Sequence, residues 1–143
     1  MTDVHEPEIR SYNMSQIRAK DTKPEMMVRR YLHAHGFRFR LHYQSLPGKP
    51  DVVLKKYKSV VFIHGCFWHG HEGCNYFKIP ATRSDWWSAK IERNSQKDSD
   101  STKQLKKLGW TVYVVWECEL KPKKRELTLQ TLAWNLKALK YLD

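Results

Sequence analysis

Apolar residues in this chain recur at helical spacing in some blocks and at alternate positions in others, and the blocks can be read in order. A first helix is predicted from Thr22 or Lys23. Pro24 and Glu25 suit its opening turn, one by fixed φ and the other by charge, and Met27, Val28, Tyr31 and Leu32 make an apolar stripe. Gly36 is placed to stop it. Residues 37–43 then alternate Phe37, Phe39, Leu41 and Tyr43 against Arg38, Arg40 and His42, which predicts a half-buried strand. Leu46-Pro47-Gly48-Lys49-Pro50 is a turn, and residues 51–54 and 60–63 are β-branched runs that predict a hairpin. Residues 64–80 form a loop dense in glycine, histidine and aromatics. A polar helix with Ser84 as N-cap should reach about Leu108 and end at Gly109. Trp110 to Trp116 is an apolar strand, and a last helix carries Leu127, Leu132, Leu136 and Leu139 at helical spacing. The order predicts one mixed α/β domain over residues 23–143, preceded by a basic arm over 1–22.

Composition narrows the partners. The 143 residues are 41% hydrophobic, enough for one domain with its own core, and the net charge of +11 attracts polyanions. Within the arm, Arg10, Arg18 and Lys20 have Asn13 and Gln16 between them. Such a segment can lie along a DNA groove or be an ordinary frayed terminus. Residues 1–23 contain no apolar run like that of a signal peptide, and no stretch approaches the roughly 20 residues that span a bilayer. Three cysteines is an odd number, so free thiols in a reducing cytoplasm are expected rather than disulfides.

Two groups of residues carry chemistry. Cys66, His71 and Cys74 fall within nine residues of a glycine-rich loop. With Cys118 they supply the three thiolates and one imidazole of a closed, structural zinc site. Cys118 taken alone is equally an ordinary buried cysteine. Asp51 stands where a turn enters a strand, and the partner strand closes at Phe62-Ile63-His64. One aspartate and the Ile63 carbonyl are chemically sufficient to hold magnesium, which keeps most of its waters and takes phosphate oxygens. Glu25 is placed to steady a water beside it, or is simply a helix-start charge. His64 and His69 can activate water or protonate a leaving oxygen, or else extend the zinc shell. Phe67, Trp68 and Trp86 are exposed-loop rings able to unstack a duplex, or packing around the zinc, whereas Trp87 has the stronger claim to the core.

Taken together, Arg18-Ala19-Lys20-Asp21-Thr22 with Glu25, the Leu46–Asp51 run, Phe62-Ile63-His64-Gly65-Cys66-Phe67-Trp68-His69, Pro80-Ala81-Thr82-Arg83, Leu108-Gly109-Trp110 and Val115-Trp116-Glu117-Cys118 resemble the very short patch repair (Vsr-type) endonucleases. The resemblance implies a restriction-endonuclease-like fold of about four strands and a nick immediately 5′ to the thymine of a T:G mismatch. It implies magnesium on Asp51 and the Ile63 carbonyl, His69 activating water, His64 assisting at the phosphate and Glu25 positioning a metal-bound water. It also implies zinc on Cys66, His71, Cys74 and Cys118, and a wedge of Phe67, Trp68 and Trp86. Asn13, Arg18, Lys20 and Lys49 would contact DNA, with the mismatch-repair protein MutL as partner and a monomer as the working form. Isoleucine stands at position 63 where the family carries threonine, and the zinc-ligand spacing is one residue longer. A restriction-type nuclease on the same fold and a zinc-dependent DNA-binding module without chemistry are the competing readings.

Overall fold

The structure is a computed structural model that describes residues 22–139; the arm proposed for residues 1–22, with Asn13, Arg18 and Lys20, lies outside these apart from Thr22. Helix α1, Lys23–Ala34, begins as its sequence demands: the Thr22 side chain accepts a hydrogen bond from the Glu25 N–H, and Pro24 sits in the first turn. Gly36 follows its end with φ 88°.

The expected strand at residues 37–43 is reduced to β1, Arg40–Leu41. His42 adopts a left-handed φ of 48°, which breaks the pleat, and Phe37 drops into the core instead of lying along a sheet. Strands β2, Val52–Leu54, and β3, Ser59–His64, form the predicted hairpin around a 3-10 turn at Lys55–Tyr57. After a long loop comes helix α2, Ser84–Lys107. Its N-cap is Arg83 in a left-handed conformation, with no side-chain cap, so Ser84 lies within the helix rather than capping it. Strand β4, Thr111–Trp116, runs parallel to β3 and completes a sheet ordered β1-β2-β3-β4. A 3-10 turn at Glu117–Leu120 leads into helix α3, Pro122–Leu139, which starts before the Lys121 to Arg125 run is finished.

Alternation along the central strands sends their side chains to two cores. Val52, Leu54 and Val61 face α1 and α3, meeting Val28 and Leu32 of the first and Leu129, Leu132, Ala133 and Leu136 of the second. Val53, Val60 and Phe62 face the opposite side, where Leu105 of α2 covers them. The final helix therefore buries Leu129 in place of the predicted Leu127, which is 70% exposed. The architecture is a restriction-endonuclease-like mixed sheet with helices on both faces. No described helix is long and apolar enough to cross a membrane.

Candidate active site and metal centre

The β2–β3 hairpin puts Asp51 beside the end of β3. Its carboxylate accepts a hydrogen bond from the Ile63 N–H at 2.7 Å. Burial pushes Asp51 up to about 6, the Ile63 N–H opposes that shift, and the nearby Glu25 carboxylate adds to it. Helix α1 brings Glu25 within ligand distance: acceptor atoms of Glu25, Asp51 and His42 all lie within 4.8 Å of one another. A buried carboxylate that resists ionisation beside a second carboxylate is a donor set suited to a divalent cation, and magnesium accepts few carboxylates with other oxygens. Asp51, Glu25, Lys49, Ile63, His64, Phe67, Trp68 and His69 line one cleft of about 440 Å³. The residues expected to work together therefore do share a surface, and Asp51 and His69 face the same space.

His64 and His69 are stacked, with ring centroids 3.8 Å apart and planes 3° from parallel. Burial, with the His69 ring next in effect, lowers His64 to about 4, so it is a neutral imidazole at physiological pH. Asp98 of α2 reaches the same pair, its Oδ2 2.6 Å from His69 Nδ1. A carboxylate on Nδ1 fixes the ring and leaves Nε2 as the nitrogen that can take a proton. Sequence reading missed Asp98. On α2 it belongs to a line of polar residues that meets the histidine loop. Asn94 donates to the Trp68 carbonyl, Ser95 to the His69 carbonyl, and Asp98 holds the His69 ring. Gly70, with φ 63°, allows this approach, since a Cβ there would sit 2.8 Å from Ile91 Cγ2.

The rings gather at the edge of the cleft. Phe67 and Trp68 meet edge-on at 5.1 Å, and Trp87 packs on both at 5.4 and 5.9 Å. Trp87 is half-buried and belongs to neither hydrophobic core, so its expected core role is corrected: it joins the loop rings. Trp86 is 42% exposed, touches Trp87 at 4.8 Å and lies under the Arg83 guanidinium.

Behind β4 lies the thiol cluster. Ligand atoms of Cys66, His71, Cys74 and Cys118 lie within 4.8 Å of one another, and Cys118 Sγ is 3.5 Å from His71 Nδ1. Trp116 stacks on the His71 ring at 4.0 Å, and the Cys118 N–H points to Cys66 Sγ at 3.4 Å. Burial, with the neighbouring Cys118 and Cys74 thiols, raises Cys66 to about 12. Three thiols at this spacing suit a cation, which deprotonates coordinating thiols outright. Cys118 sits on the 3-10 turn after β4, and the parallel pairing of β3 with β4 carries it to the loop.

A restriction-endonuclease-like sheet with a carboxylate and paired histidines in a ring-edged cleft, stapled by a thiol–imidazole cluster, defines the chain as a nuclease acting on DNA. It belongs to the DNA mismatch endonuclease Vsr family, whose model matches residues 2–75. The chain is 43% identical over 136 residues to DNA mismatch endonuclease Vsr of Escherichia coli, covering 95% of this chain and 86% of that one. It is 52% identical over 120 residues to the type II nicking enzyme V.XorIIP of Xanthomonas oryzae pv. oryzae, covering 84% and 88% of the two. A nicking enzyme of Neisseria meningitidis serogroup A, V.NmeAIP, is 50% identical over 123 residues, or 86% and 87%. The protein is a mismatch-specific nicking endonuclease of very short patch repair, and the reading as a non-catalytic zinc module falls away.

Proposed function

We propose that this endonuclease uses magnesium to nick one strand immediately 5′ to the thymine of a T:G mismatch. The His69–Asp98 pair, opening on the same cleft as Asp51, is the observation that carries the reading. Asp51 and the Ile63 carbonyl would hold the ion, which supplies charge to the scissile phosphate when bound. Glu25 orients a water beside that position. His69 Nε2 takes the proton of the attacking water, and the resulting imidazolium is stabilised by Asp98. His64, kept neutral by burial, hydrogen-bonds at the phosphate.

Phe67, Trp68 and Trp86, with Trp87 as their packing partner, enter the duplex as a wedge at the mismatch. Unstacking costs about a few kcal/mol per step and is least for a mispaired base, which favours the damaged site. Lys49 at the rim of the cleft, the basic residues Arg18 and Lys20, and the amide of Asn13 complete a clamp on the backbone. Zinc on Cys66, His71, Cys74 and Cys118 keeps the loop in place. The enzyme works as a monomer in the cytoplasm, in company with MutL.

Labelled duplexes of one sequence, differing only at T:G against T:A, separate mismatch cleavage from restriction-type cleavage. We expect one nick in the T:G duplex, dependent on magnesium. Equal cutting of the T:A duplex would overturn the mismatch requirement.

A further inference from the structure

Beside the cleft, at Glu25, three side chains meet whose role lies beyond holding phosphate or water. The Arg29 guanidinium donates from Nη2 to Glu25 Oε2 at 2.9 Å and contacts His42 Nε2 at 2.9 Å. A guanidinium can only donate, so His42 Nε2 is the acceptor and Arg29 is the cation that faces Glu25. The 3.5 Å approach of His42 Nε2 to Glu25 is then contact between neighbours rather than an ion pair. His42 also reaches the other carboxylate residue through its main chain, donating its N–H to the Asp51 carbonyl at 3.2 Å. One residue is therefore tied to both members of the carboxylate pair.

We propose that Arg29 and His42 are positioning residues that hold Glu25 against Asp51 in the geometry that receives the catalytic ion. The inference rests on the magnesium reading above and extends it to residues that touch neither phosphate nor water. Three observations carry it. First, Arg29 is four residues from Glu25 on α1, so the helix delivers its head to that carboxylate. Second, the trio is sheltered: the side chains of Arg29, Glu25 and His42 are 12%, 9% and 19% exposed. Hydrogen bonds shielded from water hold orientation far better than surface pairs do. Third, His42 takes up a left-handed backbone that ends β1 after two residues, and that turn is what directs its ring back to α1. Strain of this kind persists where the surroundings over-determine it, and here both its main chain and its ring are engaged. Two carboxylates within ligand distance repel each other, and Glu25, on a flexible stem, is the one that would swing away.

The test compares the full-length protein with Arg29→Met, Arg29→Lys, His42→Ala and Glu25→Gln variants. One measurement is Mn2+ binding without DNA, followed by the EPR signal of free ion; the other is the Mg2+ concentration giving half-maximal nicking of a T:G duplex. Arg29→Met and His42→Ala should weaken Mn2+ binding and raise the Mg2+ requirement about tenfold, as loss of groups that orient metal ligands does. The rate at saturating Mg2+ should fall far less, and Arg29→Lys should recover part of the loss. In a Glu25→Gln background, Arg29→Met should add nothing, because its effect passes through that carboxylate. Wild-type metal binding in both Arg29→Met and His42→Ala would overturn the proposal, as would an Arg29→Met effect that persists without Glu25. Failure of the magnesium reading has a different signature: Asp51→Asn would bind Mn2+ like wild type, or nicking would proceed without Mg2+.

Discussion

Asp51 illustrates how one burial decision serves chemistry at a cost to stability. Its folded-state pKa is raised from 3.8 to about 6, chiefly by desolvation. The folded chain therefore holds a proton more tightly than the unfolded one, and stability declines as pH rises between those values. Above about pH 6 the penalty is complete. An asparagine keeps an acceptor for the Ile63 N–H but carries no charge. Asp51→Asn should accordingly stabilise the metal-free protein at pH 8 by up to about 3 kcal/mol, converting the shift at 1.36 kcal/mol per pH unit. The gain should fade below pH 4 and should coincide with loss of nicking. Melting curves across pH, with a nicking assay, check both halves. Asp51 and His69, singled out in the sequence by the company of the Leu46–Asp51 and Phe62–His69 stretches, line one cleft in the structure. Asp98 was not legible. It stands among several acidic and polar residues of a solvent-facing helix, and only its contact with His69 sets it apart from Asp100 two positions away.

Elements meet the same division. Helix α1 follows its caps and stripe closely, since capping and periodicity act within a few residues. The strand expected at residues 37–43 shrinks to Arg40–Leu41 because alternation says which side chains would face inward in a sheet, not how far the pairing with β2 extends before the left-handed His42 ends it. The contact between α2 and the His64–Pro80 loop is set by shape. At Gly70, an alanine meets both a left-handed φ of 63° and the Ile91 and Ser95 side chains at 2.8 and 3.1 Å. Gly70→Ala should cost about 2–4 kcal/mol, combining conformational strain with overpacking. It should also reduce nicking by disturbing the Ser95 bond to the His69 carbonyl. Gly36→Ala is the control: its φ is 88° but nothing lies within 4 Å of the added carbon, so only the conformational part of about 1 kcal/mol remains. Chemical denaturation of the two variants separates the terms.

Across the molecule, the cleft and the thiol cluster both lie at the end of β3, linked through His64, Cys66 and the rings stacked beside them. Trp116 touches His64 at 5.2 Å and stacks on His71 at 4.0 Å, so a single ring packs against both centres. Stripping the proposed zinc should therefore loosen the active site as well as the loop. After treatment with a chelator, we expect the melting temperature to fall by at least about 10 °C, equivalent to roughly 3 kcal/mol for a chain of this size. Zn2+ should restore both stability and nicking, whereas Mg2+ alone should restore neither. Recovery of full stability with Mg2+ alone would remove zinc from the fold.

What could be read from the residue order were the interactions that act over a few positions: caps, turns, alternation, the chemistry of a Cys–His loop, a basic surface suited to DNA. Most of the strands and helices among the described residues, and a Cys–His cluster that could hold a metal ion, follow from those. The three-dimensional packing chose among equals. It selected Asp98 from a run of polar residues, moved Trp87 from the core to the ring cluster, turned His42 out of its strand and brought Arg29 onto Glu25. Such choices depend on contacts between segments separated by tens of residues, and local pattern carries no information about which of them will close.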